Sequence, residues 1–287
     1  MWIARDNDAL NEQRGQLTGR VGFVPTMGAL HDGHLSLVRA ARERTDHVIV
    51  SIFVNPTQFG PDEDFDAYPR PQEADLDLCR EHGVAGVYAP TADVVYPPDQ
   101  PATELVVPDL AARLEGKSRP GHFDGVCRVV AKLLNLVRPD TAFFGEKDYQ
   151  QLRIIEAMVA DLFMPVTIVG CPIVREPDGL ARSSRNAYLT PPQRERAVGL
   201  FKALVAAHRA CRDGESDPDA LARHMNDVLQ AHEIAVDYAV IRRADNLAPP
   251  DSLDPPCRAL IAGRVGDVRL IDNHDPTVPL ATPESAS

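Results

Sequence analysis

The sequence predicts an α/β protein, a doubly wound parallel sheet followed by a smaller α+β domain. Three observations carry this. Short β-branched runs alternate with longer amphipathic segments up to about residue 170, which is the pattern of strand–helix–strand units. The run 47–54 is almost continuously apolar, as expected of a strand buried on both faces of a parallel sheet. After Cys171 the order changes to helices and then strands, which marks a separate α+β region.

Taken in order, residues 21–24 form a strand and 35–44 a helix with its apolar residues on one side. Residues 47–54 form the second strand, 73–82 a helix and 86–88 a short strand. In 126–137, Val126, Val129, Val130, Leu133 and Leu134 share one helical face. Arg138-Pro139 ends that helix, because proline lacks the N–H and clashes with the preceding turn. Then come a strand at 141–144, a helix at 150–162 and a strand at 166–169. Beyond them, 193–212 and 218–231 read as helices, and 236–242, 257–263 and 267–272 as strands. The last two strands join through Arg264-Val265-Gly266, short enough for a hairpin. Pro172 and Glu176-Pro177-Asp178-Gly179 mark the junction, giving domains 1–172 and 173–287. No internal repeat occurs. The stretch 274–287 is rich in Pro, Thr and Ser and reads as a loose tail.

Composition narrows the function. A chain of 287 residues with 44% hydrophobic and 25% charged residues is an ordinary soluble globular protein, long enough to bury a core without disulfides. Its 30 basic against 42 acidic residues give a net charge of −12. That argues against nucleic acid as the main partner, since phosphate backbones need a basic face. The cysteines at 79, 127, 171, 211 and 257 form no CxxC pair, so they read as reduced thiols of a cytoplasmic protein. Residues 1–10 carry Arg5, Asp6 and Asp8 without an apolar core, unlike a signal peptide. The longest apolar stretch, 48–54, is too short to span a bilayer, so no membrane partner is expected.

In a doubly wound sheet, ligands bind beyond the carboxyl ends of the strands. Three strands here are followed by polar residues: Pro25-Thr26-Met27-Gly28-Ala29-Leu30-His31-Asp32-Gly33-His34, then Asn55-Pro56-Thr57-Gln58, then Gly145-Glu146-Lys147-Asp148. Asp32 is the expected N-cap of the helix that follows. His31 and His34 then stand beside free amide donors at the positive end of the helix dipole, a place that favours an anion. As an isolated HxxH the pair would read as capping histidines. Preceded by strand-Pro-Thr-Met-Gly, it reads as an anion site. Metal binding by the pair is disfavoured, since no third ligand stands at helical spacing. Lys147 offers a point charge for a phosphate, with Glu146 and Asp148 beside it. Ser183-Ser184-Arg185-Asn186, in the interdomain linker, offers hydroxyls and a guanidinium on a mobile loop. Gln58 and Gln151 are neutral donors and acceptors, suited to a substrate with hydroxyls and a carboxylate. The loop from Glu115 to His122 reads as a lid or a plain surface connection.

These segments, with Val50-Ser51-Ile52-Phe53-Val54-Asn55-Pro56-Thr57-Gln58-Phe59-Gly60 and Phe143-Phe144-Gly145-Glu146-Lys147-Asp148-Tyr149-Gln150-Gln151, resemble the pantoate–β-alanine ligase family from about residue 20 to 273. The HxGH element alone is shared with a wider nucleotidyltransferase superfamily; the other segments are what single out this family. The resemblance implies a Rossmann-like N-terminal domain, a smaller C-terminal domain closing over ATP, and a homodimer. It also implies ATP-dependent ligation through pantoyl adenylate, with Mg2+ accompanying ATP. Carried over by motif, Met27, Gly28, Ala29, Leu30, His31, Asp32, Gly33, His34, Gly145, Glu146, Lys147, Asp148, Val174, Arg182, Ser183, Ser184 and Arg185 would bind ATP. His34 takes the proton-donor position, with His31, Lys147 and Arg185 assisting the chemistry. Gln58, Gln151, Asn55, Arg119 and Glu115 would line the pantoate and β-alanine sites. After Tyr68-Pro69-Arg70, where some relatives place an acidic residue for the metal, this chain has Ala74 and then Asp75, so no metal ligand is assigned. The competing readings are a nucleotidyltransferase of the same superfamily acting on another acceptor, and a nucleotide-binding module without chemistry. The second would lack His34, Lys147 or Arg185, and all three are present.

Overall fold

The computed structural model describes residues 1–61, 63–254 and 256–280. The chain divides into two compact units, one of residues 1–146 and 150–172, the other of residues 147–149 and 173–287. The first contains β1 (Trp2–Ala4), α1 (Asn7–Gly15), β2 (Val21–Thr26), α2 (Asp32–Arg44), β3 (His47–Ile52), α3 (Gln72–Glu81) and β4 (Gly86–Tyr88). It continues through the short helices α4 (Ala92–Val95), α5 (Pro108–Ala111) and α6 (Leu114–Ser118) to α7 (His122–Val137), β5 (Thr141–Gly145), α8 (Tyr149–Asp161) and β6 (Thr167–Cys171). The strands form a six-stranded sheet in the order β1-β4-β3-β2-β5-β6, every pairing parallel. Consecutive residues of β2 and β3 are buried, as a parallel sheet covered on both faces requires. Val24, Val48, Val50 and Phe143 pack with Leu37, Val38 and Ala41 of α2 and Leu76 and Cys79 of α3. Phe23 and Ile49, also fully buried, point to the other face by the two-residue period. On α7, Val126, Val129, Val130, Leu133 and Leu134 are all buried, and Arg138 ends the helix in the left-handed region at φ 48°.

The second unit holds α9 (Pro191–Ala197), α10 (Gly199–Arg212) and α11 (Pro218–Ala231), followed by β7 (Ala235–Arg243), β8 (Cys257–Val265) and β9 (Val268–His274). The strands form an antiparallel sheet in sequence order. Leu200, Leu204, Leu221, Met225 and Leu229 pack with Ile241, Ile261 and Leu270 in its core.

Several sequence expectations are corrected. The 193–212 helix is two helices, broken at Val198. The β8–β9 turn is Gly266-Asp267, since Val265 already pairs with Val268; Gly266 supplies the positive φ of 62°. Residues 1–15, for which no element was expected, form β1 and α1; α1 buries Leu10 and is capped by Asp6. The expected loose tail is tied down as far as residue 280: His208 Nδ1 lies 2.9 Å from Pro276 O, and Leu280 packs on the core. Its remainder, 281–287, lies outside the described residues. No helix among the described residues is long and apolar enough to cross a membrane.

Candidate active site

Beyond β2 the chain turns through Gly28 and Ala29, both left-handed at φ 83° and 50°. For Ala29 that conformation is strained, so something must hold it. Asp75 of α3, 1% exposed, does so. Its carboxylate accepts the Ala29 N–H at 2.9 Å and the Leu30 N–H at 2.7 Å. A Cβ on residue 28 would stand 2.9 Å from Asp75 Oδ2, so the turn needs glycine there. Burial raises the Asp75 pKa, and the two donors offset only part of that rise.

Histidines, not Asp32, cap the next helix. His31 is the N-cap, its Nδ1 accepting the Gly33 N–H at 3.1 Å; His34 Nδ1 accepts the His31 N–H at 3.3 Å. This is a capping box built from two imidazoles, and Asp32 is the first helical residue. A ring nitrogen that accepts an N–H carries no proton, so each neutral ring has its proton on Nε2. The rings stand 4.1 Å apart. The expectation of open amides is corrected too. The N–H groups of Gly28, Ala29, Leu30, His31 and Gly33 are all taken inside the chain. The imidazoles stand where bare helix amides were expected.

Beyond β3, Asn55 is 1% exposed. Its amide donates to Gln58 Oε1 at 2.9 Å and Gly125 O at 3.2 Å, and its oxygen accepts from Tyr96 Oη at 2.7 Å and from Thr57. With every polar atom engaged, Asn55 is a strut for Gln58. Gln58 Nε2 lies 3.1 Å from Met27 Sδ, so the loops after β2 and β3 meet.

Behind Gln58 runs a chain of half-buried polar groups. His122 Nδ1 lies 2.8 Å from Gln58 O, and His122 Nε2 lies 3.0 Å from Arg119 Nη1. Guanidinium only donates, so Nε2 accepts and Nδ1–H donates to the carbonyl. Burial, reinforced by the Arg119 charge, lowers the His122 pKa to about 4. Arg119 also grips Glu63 with Nε and Nη2 at 2.6 and 2.7 Å. Burial pushes Glu63 up, but the guanidinium outweighs it and holds the carboxyl below its ordinary range. Arg119 thereby braces Gln58 through His122.

Residues 115–118 of the expected 115–122 loop are helical, and 119–121 turn into α7. Glu115, buried, lies in α6, and its N–H donates to Gln150 Oε1 at 3.0 Å. Gly116 packs so closely that a Cβ would overlap Ala111 O, which is a packed element and no open lid. Gly145 and Glu146 follow at the end of β5, on the same sheet edge. Gln151 stands in the first turn of α8, half-buried, its side chain unbonded among the described residues.

The second unit carries the remaining candidates. Lys147 is half-buried, and its ammonium makes no ion pair or hydrogen bond among the described residues; Asp148 is exposed. Val174 O accepts the Arg182 N–H at 2.9 Å, and Arg175 bridges to Ala181, so the expected linker is a small hairpin. A 3-10 turn, Ser184–Tyr188, follows with Ser183 as its N-cap and contains Arg185. Asn186 ties it to Glu176 Oε1 at 2.9 Å. Residues 183–188 are thus a hydrogen-bonded part of the second unit. Sequence reasoning missed Asp75 as the clamp of the His loop. Its signal was an acid on the apolar face of α3, beside Leu76 and Cys79.

The comparisons agree over nearly the whole chain. The family model for Pantoate-beta-alanine ligase matches residues 3–275. The pantothenate synthetase of Methylococcus capsulatus is 55% identical over 254 residues, 88% of this chain and 89% of that protein. That of Aquifex aeolicus is 51% identical over 88% of this chain and 90% of its own. Among solved structures, pantothenate synthetase from Thermus thermophilus superposes with a TM-score of 0.91 at 45% identity, covering 96% of this chain and 99% of that one. The Francisella tularensis ligase, complexed with β-γ ATP and β-alanine, gives a TM-score of 0.81 at 35% identity over 97% of this chain and 99% of its own. With the paired imidazoles, Gln58 and Lys147 in the matched stretch, this chain belongs to the pantoate–β-alanine ligase family.

Proposed function

We propose that this chain condenses D-pantoate with β-alanine at the expense of ATP, giving pantothenate, AMP and pyrophosphate. The observation that carries the reading is the His31–His34 capping box after β2, with the Gln58 amide drawn to the same sheet edge by its contact with Met27. In the first step the pantoate carboxylate attacks the α-phosphorus of ATP, and pyrophosphate leaves. Negative charge grows on the α-phosphate and on the leaving group, and fixed donors aimed there lower the barrier. His31 and His34 supply such donors. Lys147 and Arg185 supply cations. Gln58 and Gln151 hold the pantoate hydroxyls and carboxylate. In the second step the β-alanine amine attacks the acyl carbon and AMP leaves.

No group of three or more His, Cys, Asp or Glu side chains suited to a metal occurs among the described residues. Mg2+ is accordingly proposed to enter on the ATP phosphates, a mode usual for this hard cation. A cytoplasmic homodimer fits the free cysteines and an apolar patch at the β6 edge, where Phe163 is 92% exposed beside Leu162 at 45%. The test is product analysis with each substrate omitted in turn. The expected result is pantothenate, AMP and pyrophosphate accumulating in equal amounts with all three present, and no more than about one equivalent of pyrophosphate per site when β-alanine is omitted. Formation of ADP and phosphate, or no pantothenate, overturns the proposal.

A further inference from the structure

We propose that Asn273 is a positioning residue for Lys147, fixing the main chain from which the cation reaches the reacting phosphates. The inference rests on the role given to Lys147 above.

Strand β5 belongs to the first unit, yet Lys147–Tyr149 belongs to the second. The contacts explain why. Asn273 of β9 is 2% exposed, and its Nδ2 donates to Lys147 O at 2.9 Å. Its Oδ1 accepts from Arg258 Nε at 2.8 Å. A guanidinium only donates and a carbonyl only accepts, so the amide has one orientation that satisfies both. Arg258 lies over the Tyr149 ring, 4.4 Å from its centroid, and Tyr149 Oη donates to Ala244 O at 2.9 Å. Asn273 is anchored in turn. Its N–H donates to Asp272 Oδ1 at 2.7 Å, and Asp272 pairs with both terminal nitrogens of Arg175 at 2.6 and 2.9 Å.

The tripeptide is thus held at Lys147 O, at the Tyr149 ring and at the Tyr149 hydroxyl. The Lys147 side chain itself makes no ion pair or hydrogen bond among the described residues. A lysine stem is long and flexible, and a charge stabilises a transition state only where its position is set beforehand. Fixing its root is what the fold can do for it, and Asn273 is the group that touches that root.

The test is a double-mutant cycle on single-turnover adenylate formation. Asn273→Asp keeps the volume and an acceptor for Arg258, but replaces the donor facing Lys147 O with a carboxylate oxygen. The expected result is adenylation slowed by roughly 10-fold, with pantoate affinity unchanged and less than about 2-fold further loss in a Lys147→Ala background. Equal losses in both backgrounds, or none in either, overturn the proposal, since a purely structural role adds to any other defect. If Asn273→Asp does not fold, Tyr149→Phe removes one anchor and runs the same cycle with the same pattern of outcomes. Near-normal adenylation by Lys147→Ala alone overturns the Lys147 role itself, a result the cycle separates from failure of Asn273.

Discussion

In the six-stranded unit the candidate side chains stand on loops after β2 and β3, where parallel register brings strand ends to one edge. In the three-stranded unit they stand on a hairpin and a 3-10 turn held by ion pairs: Arg175 with Asp272, Arg194 with Glu176 and Asp178. The first design gets position from topology, and its difficulty is the bare N–H groups of a left-handed turn. Asp75 and the His31–His34 capping box meet that difficulty. The second gets position from side-chain pairing. Cap residues in the first unit are therefore also the proposed donors, whereas in the second the proposed cations and their supports are different residues.

The largest expected effect tests that division. His34→Ala and Lys147→Ala should each slow adenylation by roughly 100-fold or more, matching the loss of a preorganised donor. His34→Ala should also cost about 1 kcal/mol of stability, because it removes half of a capping box, while Lys147→Ala should leave the melting temperature unchanged. Equal stability losses in both would erase the contrast between the units. Next comes Asp75→Ala, which strands two N–H donors and should cost about 2–3 kcal/mol and weaken ATP binding without touching pantoate. An unchanged melting curve would show that the turn stands by itself.

Much of this was legible in the sequence, and the misses have physical causes. The bounds of β4 and α11 follow from local turn residues and apolar spacing. The meeting of the β2 and β3 loops follows from parallel topology alone. Asp75 and Asn273 were not legible, because their partners Leu30 and Lys147 lie 45 and 126 residues away. The His cap was missed because Asp is the commoner N-cap, and local propensity yields when a ring nitrogen is already aimed at the N–H. The break at Val198 stands beside Gly199, a helix-weakening residue that the periodicity passed over, and Gly199 packs tightly against His232.

A smaller effect concerns pH. The ordinary histidine pKa of 6.5 falls to about 4 at His122. Between those values the unfolded chain takes up a proton that the native chain refuses, so stability falls as pH falls. The contribution is complete above pH 6.5 and lost near pH 4, about 2 kcal/mol after allowance for partial exposure. His122→Gln should flatten that part of the melting-temperature curve; a curve parallel to the parent would place the acid sensitivity elsewhere. The smallest effect belongs to Gln151→Ala, which should weaken pantoate about 10-fold by leaving substrate groups unpaired, with ATP affinity unchanged. A fall in ATP affinity instead would reverse the assignment.

The central claim is that activation of pantoate precedes and does not need β-alanine. Rapid-quench measurement of pyrophosphate from ATP, Mg2+ and pantoate alone tests it directly. The account predicts a burst of about one equivalent per site, with slow turnover afterwards. No pyrophosphate until β-alanine is added, with no exchange of labelled pyrophosphate into ATP, would contradict it.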